Sequence, residues 1–236
     1  MDIDDERIRE AVKHTEILRL PKKTLATFGT TNIYYYMVTE PAYSGLVEVE
    51  DVAETVVREG RVIAERPRIV TPYYLSRLEG FSLDARRYFD MLIKAYGANA
   101  PGVFYTYKNE PLKLNIVSDN LPSVVRKINA EIDERGDPLG SIIKGEDELW
   151  DVSLMKFIYE MARSSLQDNL FQMGSRGLLD IDAGGVPADA RMRIEELFQQ
   201  VSRGEREPRE LKEELDRWDV FEEYEDRFFT LFKRKR

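Results

Sequence analysis

The chain of 236 residues contains no cysteine and a single histidine, His14. Disulfide frameworks need cysteine, and structural zinc sites are built from cysteine and histidine, so neither can hold this fold together. The fold must therefore rest on burial of apolar side chains, and 42% hydrophobic and 11% aromatic residues are enough for a sizeable core. The same two residue types carry most nucleophilic and near-neutral acid–base catalysis, which leaves Asp, Glu, Lys, Tyr or Ser for any chemistry.

The charge balance narrows the classes of partner. The net charge is -9 and the isoelectric point is about 5.0, and such a surface repels phosphate backbones, so a nucleic acid partner is disfavoured. The amino-terminal residues are acidic and do not resemble a secretory signal. No segment reaches the roughly 18 consecutive apolar residues that span a bilayer. We expect a cytoplasmic protein with no membrane partner.

Strand patterns dominate the first half of the chain. Residues 33–39 are rich in aromatic and β-branched side chains, as are residues 55–58 and 61–64. The last two runs flank Glu59 and Gly60, which predicts a hairpin with the glycine in its turn. Apolar and polar residues alternate over residues 112–116, which predicts a half-buried strand.

Helical patterns follow from residue 120 onward. Apolar stripes with helical spacing run through residues 124–132, 149–173 and 190–201, and the last segment begins at Pro208. Strands followed by helices predict an α+β fold with a mostly antiparallel sheet and packed helices in the amino-terminal half, and an all-helical carboxyl-terminal half. We expect an α+β domain over residues 1–137 and a helical region over residues 138–236 that packs on it.

Two aromatic groups are candidate surfaces for a ligand or a partner. Residues 205–226 hold eleven acids and four bases, yet Trp218, Phe221 and Phe228 lie within or just after them. An acidic helix with an aromatic face must bury that face, so residues 205–236 are predicted to dock on their own domain, on a partner or on a second copy. In the first half, Tyr34 and Tyr36 share one face of a predicted strand, and Tyr43 follows closely.

Three local patterns resemble catalytic or metal-binding motifs. Residues 141–144 and 153–156 match S-x-x-K and residues 118–120 spell S-D-N, but acyl-transfer enzymes carry these motifs in the opposite order and add K-T-G. Asp180 and Asp182 precede two glycines, which makes them weak candidates for a cation site, although the EF-hand pattern fails. His14 lies beside a helical stripe one turn after Glu10 and is interpreted as a solvated side chain. No cofactor is predicted.

Together these observations favour binding over catalysis. The prediction is a non-catalytic protein–protein interaction or regulatory subunit that acts on a protein partner or as a homo-oligomer. The first alternative is an enzyme or small-ligand binder that uses carboxylates and tyrosines in a cleft between sheet and helices. The second is an RNA- or ribosome-associated protein that uses exposed tyrosines and the basic residues 233–236, which the acidic balance opposes.

Overall fold

A computed structural model describes residues 3–43, 53–70, 81–96 and 102–233. Contacts divide the chain into two compact units. The sheet unit comprises Met1–Pro67, Leu75–Ala98 and Tyr105–Asn169, and the helical unit comprises Arg68–Tyr74, Asn99–Phe104 and Leu170–Arg236. Each unit is described by itself.

The described residues form helices and strands in mixed order, which confirms the α+β class. In chain order they are α1 (Ile3–His14), β1 (Glu16–Arg19), β2 (Thr31–Thr39), β3 (Thr55–Ala64), β4 (Arg68–Val70), α2 (Leu83–Tyr96), β5 (Gly102–Phe104), β6 (Tyr107–Val117), α3 (Leu121–Arg135), β7 (Gly140–Lys144), α4 (Trp150–Ser175), α5 (Ala188–Ser202), α6 (Pro208–Arg217) and α7 (Phe221–Lys233). None of these helices is long and apolar enough to cross a membrane.

The main sheet has the strand order β1-β7-β2-β3-β6. β2 and β7 are parallel and the other pairs are antiparallel, so the mostly antiparallel sheet of the prediction is confirmed. β7 lies beyond residue 137, in the region that the sequence patterns assigned to helices alone. Its residues Ile142 and Ile143 are fully buried on opposite faces, so β7 lacks the alternation that marks a half-buried strand.

The predicted hairpin at Glu59 and Gly60 is wrong, because both residues lie in the middle of the continuous strand β3. The glycine is required by a close approach instead of a turn. A Cβ atom at Gly60 would lie 2.2 Å from the hydroxyl of Tyr35, which crosses it from β2. The register between β3 and β6 shifts at the same place, where Leu112 of β6 is the extra residue of a bulge.

Helix α3 covers one face of the main sheet. The apolar core there joins three strands to the helix through Tyr36, Val38, Val57, Val124, Ile128, Ile132 and Ile142. Asn120 begins the helix by accepting a hydrogen bond from the Ser123 amide, and Gly136 ends it with a positive φ of 63°. These are standard helix caps, so Asn120 of the S-D-N sequence has a structural role.

The helical unit packs α5, α6 and α7 around one apolar core, and the two-stranded β4–β5 ribbon contacts α5. The buried members of the core are Val186, Ala190, Ile194, Leu197, Phe198, Val201, Leu211, Leu215, Val220 and Phe228. The described part of the segment forms two helices, α6 and α7, and not the single helix expected for residues 205–236. The helix is interrupted by a turn between α6 and α7, where Asp219 adopts a positive φ of 54°.

Candidate functional site

β6 carries an exposed apolar row. Leu112, Leu114 and Ile116, here called the β6 row, are 64%, 59% and 54% exposed. The alternation that predicted this strand is present, but the expected burial of its apolar side is wrong. The buried residues of β6 are Tyr107 and Asn109 at its beginning. Alternation identifies a strand but does not say whether other elements cover its apolar side.

The row lies on the last strand of the sheet. Within the described ranges, no strand pairs with the outer side of β6. The inner side pairs with β3, where Leu114 lies opposite Arg58, Ile116 opposite Val56 and Lys113 opposite Glu59. An unpaired strand edge presents free backbone donors and acceptors to any extended chain that approaches it.

The opposite edge of the sheet differs in the ways that prevent such pairing. β1 has four residues, whereas β6 has eleven. Two charged side chains of β1 bind neighbouring elements: Glu16 accepts from Lys144 at 2.7 Å, and Arg19 binds Asp133 at 2.7 Å. Short strands and charged side chains are common protections of a sheet edge. β6 carries Pro111 and a bulge at Leu112, so its regular open stretch is residues 113–117, which is still longer than the whole of β1.

A polar cleft lies at the carboxyl ends of the parallel strands β2 and β7. It has a volume of about 650 Å³ and is here called the His14 cleft. Its lining consists of Lys13, His14, Glu16, Glu40, Pro41, Ala42, Leu121, Lys144, Gly145, Glu146, Asp147 and Glu148. The carboxyl ends of parallel strands are a frequent place for ligand sites.

Four carboxylates of the cleft bind basic side chains of the same unit. His14 Nδ1 lies 2.6 Å from Glu146 Oε1, 132 positions away in sequence. The neighbouring Glu10 accepts from Lys13, and the His14 side chain is exposed, as its interpretation as a solvated side chain expects. Asp147 binds Arg58 at 2.7 Å, and Glu148 binds Arg7 at 3.2 Å.

Asp147 is the most tightly held of these carboxylates. It accepts hydrogen bonds from the Thr39 hydroxyl at 2.8 Å and the Ala42 amide at 3.2 Å, besides the Arg58 ion pair. Burial alone would raise the pKa of Asp147, but the donors of Thr39, Arg58 and Ala42 outweigh it and hold the pKa below its ordinary value. The three acids at residues 146–148 thus connect α1, β2 and β3 to the start of α4.

The tyrosine candidates occupy different environments. Tyr34 is exposed, while Tyr36 is buried under α3 and its hydroxyl accepts from Arg135 at 3.1 Å. Tyr43 is exposed and donates a short hydrogen bond to Glu54. Burial raises the pKa of Tyr36, and the Glu54 carboxylate raises the pKa of Tyr43. Of the three, only Tyr34 and Tyr43 offer an accessible ring.

The aromatic candidates of the last segment pack inside the helical unit. Phe228 belongs to the buried core, with Trp218 and Phe221 packed against it. Trp218 Nε1 donates to Glu214 at 3.1 Å, and the Lys212 ammonium lies 4.0 Å from the centroid of the Phe221 ring. Phe228 shares this core with residues of α5, so α7 packs on α5 within the helical unit.

The serine–lysine patterns have structural roles. Ser153 is fully buried, and its hydroxyl accepts from the Thr15 hydroxyl at 2.7 Å. The Lys156 ammonium donates to the backbone carbonyls of Val12 and Thr15 at 3.1 and 2.9 Å. In the other pattern, the Ser141 hydroxyl donates to the backbone carbonyl of Tyr34.

Asp182 organises the loop before α5. Its carboxylate accepts from the amides of Gly184 and Val186 at 2.9 Å each and from Arg191 Nε at 2.7 Å. The Val186 amide and the Arg191 guanidinium lower the pKa of Asp182. Asp180 contributes its backbone carbonyl, which accepts from the Ala188 amide at 2.8 Å. Among the residues that the structure describes, no group of three His, Asp or Glu side chains is arranged to hold a metal ion.

Comparison with family models, with curated proteins and with solved structures finds no match to this chain. The geometry of the molecule is therefore the basis for its functional assignment. It offers two candidate places for a ligand or partner, which are the outer edge of β6 and the His14 cleft.

Proposed function

We propose that this chain is a non-catalytic protein-binding subunit that recognises an extended segment of a partner along the outer edge of β6. The observation that carries the proposal is an eleven-residue edge strand whose three alternate apolar side chains are each more than half exposed. Strand addition to such an edge combines backbone hydrogen bonds with contacts of alternate side chains.

Burial of the β6 row by a partner would supply the main favourable free energy of binding. Full burial of one Leu or Ile side chain contributes about 1.5–3 kcal/mol. Leu112, Leu114 and Ile116 retain more than half of their exposure in the folded chain, so a partner that covers them recovers a large part of this gain. A binding strand with apolar side chains at every second position would meet all three.

The state of the polar residues supports binding over catalysis. In the His14 cleft, Glu16, Glu146, Asp147 and Glu148 each bind a basic side chain. These ion pairs join separate elements of the sheet unit, which is a structural use of carboxylates. Ser153, the serine of the second S-x-x-K pattern, is fully buried, so a substrate would not reach its hydroxyl.

Selection of displayed peptides tests this proposal. We expect a library of random eight-residue peptides to yield sequences with apolar residues at alternate positions, because these fit the spacing of the β6 row. A lysine in place of Leu114 introduces a charge at the centre of the row. We expect Leu114→Lys to weaken binding of the selected peptides at least tenfold, as measured by fluorescence anisotropy.

Leu83→Lys is the matched control, because Leu83 is 75% exposed and lies on α2. The control should bind the selected peptides as the unmodified chain does. Selected binders that tolerate Leu114→Lys, or a chain that binds neither a selected peptide nor any other strand at this edge, would overturn the proposed function.

The His14 cleft suggests a second candidate function, which is binding of a small cationic ligand. Its volume of about 650 Å³ lies in the usual range for ligand pockets, and its lining holds five carboxylates and two lysines. Titration calorimetry with spermidine tests this function. We expect spermidine to bind and Glu146→Gln to weaken this binding. An absence of heat up to millimolar spermidine would exclude small cationic ligands.

A further inference from the structure

We infer that the extended segment bound by β6 is the β6 strand of a second copy of this chain, paired antiparallel so that the two sheets become continuous. The inference rests on the proposed function, because it identifies the partner of the same strand edge. It follows from the pattern of side chains along residues 111–118 and from the distribution of charge.

The strand is complementary to itself in one register. With Leu114 opposite Leu114 of the second copy, Leu112 lies opposite Ile116 of the second copy, and Lys113 lies opposite Asn115 of the second copy. All three members of the β6 row then face apolar side chains. On the other face, each lysine meets an amide, which can accept its hydrogen bond.

Neighbouring registers lose this match. A shift that places Lys113 opposite Lys113 of the second copy brings like charges together and puts Ile116 opposite Glu110. A shift in the other direction places Leu112 opposite Ser118. Like charges directly opposite each other destabilise a strand pair. The neighbouring registers that keep the same side chains on each face of the sheet therefore place a charged or polar residue opposite an apolar one. The register centred on Leu114 avoids this and is the favoured arrangement.

The charge distribution explains why copies of an acidic chain would meet here. A net charge of -9 makes two copies repel each other over most of their surfaces. Residues 111–118 contain no acidic side chain, and Lys113 is their one basic residue. The nearest acid of the strand, Glu110, already binds Arg61 and Lys108. The β6 edge therefore brings no uncompensated acids into contact.

Single cysteines test the register directly, because the chain has no cysteine of its own. In the proposed register the two Cα atoms of residue 114 lie about 4.5–5.5 Å apart, within the reach of a disulfide. The two Cα atoms of residue 113 are offset by two residues along the strands and lie about 8 Å apart, beyond that reach. Leu114→Cys and Lys113→Cys thus form a matched pair.

On mild oxidation we expect most of the Leu114→Cys chain to become a disulfide-linked dimer. The Lys113→Cys chain should form at least fivefold less of this dimer. The amounts are measured on a non-reducing gel, with circular dichroism to show that both variants are folded. Equal cross-linking of the two variants, preferential cross-linking of Lys113→Cys, or no cross-linking of Leu114→Cys would overturn the inference.

This outcome is separable from that of the proposed function. If Leu114→Cys does not cross-link but selected peptides still bind in a manner that depends on Leu114, strand addition at β6 stands and the partner is another protein. If neither cross-linking nor peptide binding is found, both proposals fail.

Discussion

At the scale of single residues, Gly60 and Tyr35 show how a sheet can require one particular residue. The Tyr35 ring crosses Gly60, stacks on Trp150 at 6.4 Å, and donates its hydroxyl proton to Asn109 at 3.0 Å. Burial raises the pKa of Tyr35 to about 12, so the phenol stays protonated and remains a donor at physiological pH. Any side chain at position 60 would displace this ring.

Gly60→Ala should therefore destabilise the sheet unit by about 1–3 kcal/mol, the usual effect of overpacking. Urea unfolding followed by the fluorescence of Trp150, which contacts the displaced ring, measures the change. Gly174→Ala is the control: its Cβ would lie 3.6 Å from the nearest atom, and its helical position favours alanine by about 1 kcal/mol. Equal stability of Gly60→Ala and the unmodified chain would contradict the close approach of Tyr35.

Asp147 should give the molecule an acid-sensitive ion pair. Because the folded-state pKa of Asp147 is lowered, its contribution to stability is complete above the ordinary pKa of about 4 and is lost as the pH falls through the folded-state pKa. We expect Asp147→Asn to cost about 1–3 kcal/mol at pH 7 and less at pH 3, which lies below the ordinary pKa of an aspartate.

Urea midpoints at the two pH values measure this difference. Asp168→Asn, which changes an exposed carboxylate on α4, serves as the control and should leave both midpoints close to those of the unmodified chain. A cost of Asp147→Asn that is the same at pH 3 and pH 7 would show that the carboxylate charge does not matter.

At the scale of elements, helix α6 depends on its buried leucines. Leu211 and Leu215 are fully buried in the core that α6 shares with α5 and α7, although α6 is otherwise highly charged. The charged residues of α6 form ion pairs four positions apart, such as Lys212 with Asp216. Pairs of this kind contribute only tenths of a kcal/mol on a helix surface, so the leucines hold the helix in place.

Leu211→Ala should destabilise the helical unit by about 2–5 kcal/mol, because it leaves a cavity in this core. Trp218 follows α6 directly, and in a Trp150→Phe background it is the single tryptophan that reports on unfolding. Met192→Ala on α5 is the control, since Met192 is about half exposed and its loss should change stability by less than about 0.5 kcal/mol. Similar unfolding midpoints for the two variants would contradict this packing.

At the scale of the whole molecule, local patterns predicted the α+β class because β2 is rich in aromatic and β-branched residues and residues 124–132 of α3 form a helical stripe. They missed β7, which is short and buried on both faces. They also misread Gly60, since the ring that requires this glycine belongs to another strand. Local sequence patterns identify helices and strands, but they do not show which residue of a distant element contacts a given position.

The candidate sites show the same limit. The alternation of Leu112, Leu114 and Ile116 is plain in the sequence, yet their exposure depends on β6 being the last strand of the sheet. The pairing of His14 with Glu146 joins residues 132 positions apart. Spacing alone gave no signal for this pair, because its members come together only when α1 packs beside the end of β7.

If β6 pairs two copies of the chain, the protein in solution should have the mass of a dimer. We predict that light scattering over a range of concentrations gives twice the 27.5 kDa mass of the chain, that Leu114→Lys gives the mass of one chain, and that Leu83→Lys remains a dimer. A single-chain mass at every concentration, or a dimer that survives Leu114→Lys, would show that β6 does not pair two copies of the chain.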